Sequence, residues 1–348
     1  MKLYRESEAL CFDDILMVPK PSEIESRREV DLSMSIGFEE KKVDLYLPII
    51  AAPMDTVCEQ DAATVMAEYG GLGIIHRFSD QMKQTQQVNT VASKRLTVGG
   101  SVGVSNGKSV LPTVEALVLS GAKIILVDTA NGHNVLAVNT VREIRRAFPT
   151  VHIMAGNVST WDGFLSLAIA GADSIRVGIG GGSMCSTRIV TGHGIPTLAS
   201  IMEIYSMQDR INLPTSIIAD GGIRNAGDAV KAFAAGADAV MLGSLLAGHD
   251  ESPGRIVNRN GKQFKEIRGM ASEAAQKDFH GKVSVVEGVT SYVPYRGSLG
   301  STLDTLRGGI ASGCSYSGVH TLSDLELFSE YVRVTANSLG ESQPHGRL

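Results

Sequence analysis

Residues 178–188 read GIGGGSMCSTR, a single cysteine closing a glycine run with Ser186, Thr187 and Arg188 directly behind it. A thiol that only fills a core needs no such neighbours. Glycines let backbone amides approach an anion and leave room beside a thiol for a substrate, so Cys185 is the candidate nucleophile. No second cysteine or paired histidine stands at ligand spacing nearby, which argues against a metal held by side chains. Two further loops, ADGGIRN at 219–225 and LGSLLAG at 242–248, bring Asp220, Gly221, Gly222, Gly243 and Ser244. Asp55, His76, Asp128 and Asn157 each follow an apolar run in the same way. Taken singly, such residues are as often helix caps or buried, satisfied polar groups.

What must position them is a set of eight short apolar runs: PIIAAPMD, LGIIHR, GGSVGV, KIILVDTANG, VHIMAGN, DSIRVGIG, TSIIADGG and DAVMLGS. Most are apolar on both faces, as parallel strands covered on both sides require. Helical patterns lie between them. Val110, Leu111, Val114, Leu117 and Val118 recur at three- and four-residue steps until Gly121, and Asn225 is placed to cap a helix that ends at Gly236. SGAKIILVD (120–128), AGADSIRVG (170–178) and AGADAVMLG (235–243) echo one another as helix end, glycine and strand. Eight nearly equal units predict an α/β fold, a (β/α)8 TIM barrel, rather than an open sheet. Beyond the eighth strand, residues 249–300 show weak periodicity and predict a long loop or flap. Helices are then expected near 301–312 and 321–335.

In a barrel the strands' C-terminal ends carry the chemistry, and phosphate commonly binds after strands seven and eight. That places the glycines of 221–222 and 243 at a phosphate, Asp220 beside ribose hydroxyls, and Cys185 on the loop after strand six. The ligand so described is a nucleotide.

Bulk properties exclude other classes. The 348 residues carry a net charge of −5 with no basic run, which argues against a nucleic-acid surface. No stretch reaches the ~18 apolar residues of a membrane helix, and MKLYRESEAL lacks a signal peptide's apolar core. Cys11, Cys58, Cys185 and Cys314 are scattered without a CxxC pair. The expectation is one cytoplasmic domain over residues 1–348, with reduced thiols and no linker.

These motifs, with ALCFDDILMVP, AAPMDTV, MAGNV, RGMAS, VVEG and GGIASGCSYSG, resemble the inosine monophosphate dehydrogenase and guanosine monophosphate reductase family along nearly the whole chain. The resemblance implies a purine nucleotide 5′-monophosphate bound beside a nicotinamide cofactor, and a tetrameric assembly. It implies that Cys185 attacks carbon 2 of the purine, with Thr187 and Glu287 handling the proton of water or ammonia. Ser183, Asp220, Gly222, Gly243, Ser244, Met270, Ala271, Arg268 and Gly288 fall at substrate-binding positions, and Asp128, Asn157, Gly178 and Gly180 at cofactor positions. Backbone carbonyls of Gly180, Gly182 and Cys185 fall where the family holds potassium. Three positions depart from the pattern: Gly181 replaces a proline, Ile267 a phosphate-contacting tyrosine, and Ala271 a small polar residue.

Within the family, the dehydrogenases resemble one another in supplying an arginine–tyrosine pair that activates water. MASEAAQKDFHGKVSVVE, residues 270–287, contains neither residue. VASKRLTVGG runs straight through the place of the dehydrogenases' regulatory insertion. The expectation is an NADPH-dependent GMP reductase yielding IMP and ammonia. Against it, ADGGIRNAGD, IHRFSD and the tail ESQPHG look more like the dehydrogenases. The alternatives are therefore an NAD-dependent IMP dehydrogenase without its insertion, with His280 or Lys282 as the candidate base, and a non-catalytic purine nucleotide-binding regulator.

Overall fold

In the computed structural model, which describes Tyr4 and residues 8–343, the eight apolar runs are the eight strands of a closed parallel barrel. They are β1 (Ile49–Ala51), β2 (Leu72–Ile75), β3 (Val98–Val102), β4 (Ile124–Asp128), β5 (His152–Val158), β6 (Ser174–Val177), β7 (Ser216–Asp220) and β8 (Ala239–Leu242). Each pairs in parallel with the next, and β8 closes onto β1 through Met241 opposite Ile50.

The two-residue period of a strand sorts the side chains. Ile124 and Leu126 of β4, Met154 of β5, Ile218 of β7 and Ala239 and Met241 of β8 form the lumen cluster. Ile125, Val127, Ile153, Ala155, Ile175, Val177, Ile217 and Val240 face the surrounding helices. Ile36 and Leu45 join the lumen cluster from the antiparallel pair Met34–Ile36 and Val43–Leu45. That hairpin is anchored to strand starts, with Gly37 N donating to Ser216 Oγ and His152 bonded to Lys41 O. It therefore plugs the N-terminal mouth and leaves the C-terminal mouth for ligands. Continuing the alternation upward brings Asp128, Arg176 and Asp220 to the open rim.

Asn225 caps the helix Ala226–Ala234 by accepting the amide of Asp228, as the sequence predicts. The helix Leu299–Tyr316 packs against it so closely that a Cβ on Gly313 would lie 2.4 Å from Val230 Cγ2. Among the described residues no helix is long and apolar enough to cross a membrane.

Two expectations need correction. The region after β8 is not a plain loop: β9 (Ile256–Arg259), β10 (Lys262–Arg268) and β11 (Thr290–Pro294) form an antiparallel sheet, with a helix at Glu273–His280 between β10 and β11. Residues 321–335 do not form one helix. A 3-10 turn at Leu322–Asp324 and a single turn at Leu325–Phe328 give way to a strand, Tyr331–Arg333, paired antiparallel with Ile15–Met17. The backbone of Tyr331–Arg333 finds its partners at the opposite end of the chain, and that pairing overrides local helical spacing.

Candidate active site at the C-terminal mouth of the barrel

A cavity of about 580 Å³ occupies the open mouth, a size that suits a nucleotide-scale ligand. Cys185, Thr187, Glu287, Ser183, Asp220, Gly222, Gly243, Ser244, Met270, Ala271, Gly288, Asp128, Asn157, Gly178, Gly180 and Gly182 all line it. Of the seventeen residues that the resemblance places at catalytic, substrate, cofactor or potassium positions, Arg268 is the exception: its guanidinium turns away to Asp55 and Asp278 and stacks over Phe279. Asp55 is thereby withdrawn from the rim as well. His76 is buried, with one ring nitrogen facing Glu59 and the other accepting the Phe78 amide.

Cys185 Sγ lies 3.2 Å from Thr187 Oγ1, and Thr187 Oγ1 donates to Glu287 Oε2 at 2.8 Å. These three groups come from two segments one hundred residues apart that are stitched by backbone. Ser186 N donates to Glu287 O at 3.0 Å and Val289 N to Met184 O at 2.9 Å, while Glu287 N reaches Ala271 O at 3.2 Å. The cysteine loop is also fixed from below, because Arg188 bonds the carbonyls of Ile179 and Ile195. Cys185 is the exposed thiol of this mouth. Cys58 and Cys314 are buried, and burial pushes both thiols up to about 12.

No carbonyl among the described residues accepts the amides of Gly222, Gly243 or Ser244. Unpaired amides lining one cavity suit an anion. Ile267 forms a fully buried apolar wall of the cavity and has no group to offer a phosphate. A Cβ on Gly178 would fall 2.0 Å from Asp220 O, so the close approach of the loops after β6 and β7 requires glycine there.

The charged residue that sequence reasoning missed is Arg176. It bonds Asp128 Oδ1 at 2.6 Å through Nη1 and Asp220 Oδ2 at 2.9 Å through Nη2, bridging the two carboxylates across the mouth. Arg77 adds a second cation to Asp128. Burial alone would raise the Asp128 carboxyl, but Arg176 and Arg77 prevail and hold it below its ordinary value. The available signal was an arginine inside the apolar run DSIRVG, at the alternation position facing the lumen. Asn157 Nδ2 donates to Gly178 O and Asp220 Oδ2, both at 2.8 Å. Among the described residues, every side-chain donor to Asp220 bonds Oδ2, which leaves Oδ1 for a ligand hydroxyl.

Asn157 spends its amide hydrogens inside the fold while no described residue donates to its Oδ1, an open acceptor that suits the carboxamide of a nicotinamide. Neutral carbonyls at Gly180, Gly182 and Cys185 suit a monovalent cation, although that of Gly182 already accepts the Cys185 amide at 3.0 Å. The Pro344–His345–Gly346 part of the tail motif lies outside the described residues.

Residues 9–345 match the family model described as IMP dehydrogenase / GMP reductase domain. The chain is 40% identical to human GMP reductase 2 over 94% of each chain, and 35% identical to the inosine-5′-monophosphate dehydrogenase of Borreliella burgdorferi over 97% of each. Among solved structures it is similar to a GMP reductase from Trypanosoma brucei in complex with guanosine 5′-monophosphate, with a TM-score of 0.91, 28% identity and 98% coverage of both chains.

Proposed function

The chain belongs to the IMP dehydrogenase / GMP reductase family, and from that premise we propose that it is a GMP reductase acting as a single catalytic domain. The observation that carries the reading is the flap. Hydrolysis of a cysteine–purine adduct requires a base near the adduct, and bases of this kind contribute ~10²–10⁴-fold. Residues 271–286 hold no arginine and no tyrosine. The groups hydrogen-bonded in line with the thiol are Thr187 and Glu287, a pair that can protonate a departing ammonia.

In this reading the phosphate sits on the amides of Gly222, Gly243 and Ser244, with Ser183 nearby, and Asp220 Oδ1 accepts a ribose hydroxyl. Met270, Ala271 and Gly288 border the base. Cys185 Sγ forms a bond to carbon 2, and the bond from that carbon to the exocyclic nitrogen breaks. Glu287, through the Thr187 hydroxyl, delivers the proton that lets the nitrogen leave as ammonia. Asp128, Asn157, Gly178 and Gly180 would hold the nicotinamide end of NADPH, which when bound would supply the hydride that replaces the cysteine at carbon 2. Overall, GMP, the reduced cofactor and two protons give IMP, ammonium and the oxidised cofactor. Potassium on the loop carbonyls would order the cysteine loop and takes no part in the proton path. A cytoplasmic homotetramer belongs to the same reading.

A second reading, an IMP dehydrogenase without its regulatory insertion, is favoured by the motifs ADGGIRNAGD and IHRFSD and by a relative of that name that matches 97% of the chain at 35% identity. The test is stoichiometric release of ammonia from GMP with NADPH, measured beside XMP formation from IMP with NAD.

A further inference from the structure

The flap helix Glu273–His280 ends at Gly281, in the left-handed conformation, and the chain returns through residues 282–286 to Glu287. This return is exposed; Val285 is 62% exposed and packs into no core. Something other than apolar burial must therefore place it. Among the described residues, every hydrogen bond made by residues 282–286 goes to one side chain, Gln276. Its Oε1 accepts Ser284 N at 2.8 Å and Ser284 Oγ at 3.1 Å, and its Nε2 donates to Val285 O at 2.8 Å.

The same Nε2 donates to Ala271 O at 3.0 Å, the carbonyl that also accepts Glu287 N at 3.2 Å. Gln276 is 7% exposed and lines the nucleotide cavity together with Ser284 and Val285. A side-chain amide is the group that can do this, since it supplies acceptor and donor from one planar end.

We propose that Gln276 is a positioning residue, a clamp that closes the flap's return strand and thereby sets Glu287 against Thr187 and Cys185. The proposal rests on the reading of Glu287 as the proton donor, and it adds a residue that acts through it. A misplacement of about 1 Å is enough to lose ~10²-fold in rate. Gln276→Leu keeps the bulk and removes all four bonds. Its kcat for GMP should fall about 10- to 100-fold, with KM changed little because the phosphate and ribose contacts lie elsewhere.

The experiment combines Gln276→Leu, Glu287→Gln and the double variant in the full chain, with kcat and KM for GMP and deuterium uptake over residues 282–286. Faster uptake at 282–286, a drop in kcat at constant KM, and no further drop when Gln276→Leu is added to Glu287→Gln would support the clamp. Unchanged uptake would overturn it, whatever the chain's reaction proves to be, because exchange does not depend on turnover. Faster uptake with full kcat, or losses that multiply in the double variant, would show that Gln276 does not act through Glu287.

Discussion

Removing the Arg176 guanidinium, as in Arg176→Met, should damage the mouth of the barrel more than any other single change outside the thiol's own surroundings. In the wild type its charge neutralises Asp128 and Asp220, whose side chains are only 15% and 16% exposed. Breaking a buried pair by deleting one partner typically destabilises by ~3–5 kcal/mol, because the remaining charge is left uncompensated. Two carboxylates remain here, but Arg77 still reaches Asp128 and Asn157 still donates to Asp220, so the lower end, about 3 kcal/mol, is the appropriate figure. For a chain of 348 residues that corresponds to a melting temperature lower by about 4 °C.

The pH dependence distinguishes this cause from lost packing. In the wild type Asp128 is held below its unfolded value, so it contributes stability that is present above the unfolded pKa and lost as pH falls through the folded one. Without Arg176 the balance at Asp128 tilts toward burial, which raises the carboxyl. Stability is then impaired at neutral pH and recovers relative to wild type as pH falls toward 5 and a carboxylate takes up a proton. Thermal and urea unfolding of both proteins at pH 7.5 and pH 5 measures the difference. A gap of the same size at both pH values, or one under ~1 kcal/mol at neutral pH, would refute the electrostatic reasoning.

Other variants test separate parts of the site. Cys185→Ala should abolish turnover while GMP still binds by calorimetry, since the proposed phosphate and ribose contacts lie elsewhere; retained activity would remove the covalent step. Gly243→Val would place a side chain toward Met54 Sδ, 3.2 Å from a Cβ at this position, and across the phosphate amides. It should weaken GMP binding at least tenfold and leave guanosine binding unchanged, whereas equal losses would show that the phosphate sits elsewhere. Glu287→Gln should slow ammonia release by ~10²-fold or more with little change in GMP affinity, as single-turnover measurement of released ammonia would show.

Most of the barrel is legible because its strands are buried on both faces, and apolar runs such as IILVD and AVMLG have few other uses. The rim residues are legible through their place after each run, but their partners are not. Nothing local in DSIRVG states that Arg176 spans from Asp128 to Asp220, since those carboxylates arrive from strands on either side. The sheet of β9, β10 and β11 escapes detection for a different reason. Its strands mix exposed residues, such as Lys262 and Gln263, with a buried lysine, Lys265, so no apolar period marks them. Glu287 is recognisable in sequence only through the VVEG resemblance, because what gives it a function is contact with Thr187 one hundred residues earlier. Asp55 and Arg268 show the reverse case, two rim candidates that pair with each other and leave the cavity.

The direction of the reaction is the central claim, and one pair of assays on the same enzyme preparation decides it. With GMP and NADPH the chain should release ammonia and oxidise the cofactor in equal amounts, giving IMP. With IMP and NAD, steady XMP formation should be slower by ~10²-fold or more, the contribution of a base such as the arginine–tyrosine pair that residues 271–286 lack. Sustained XMP formation without ammonia release from GMP would contradict the account and identify the dehydrogenase reaction.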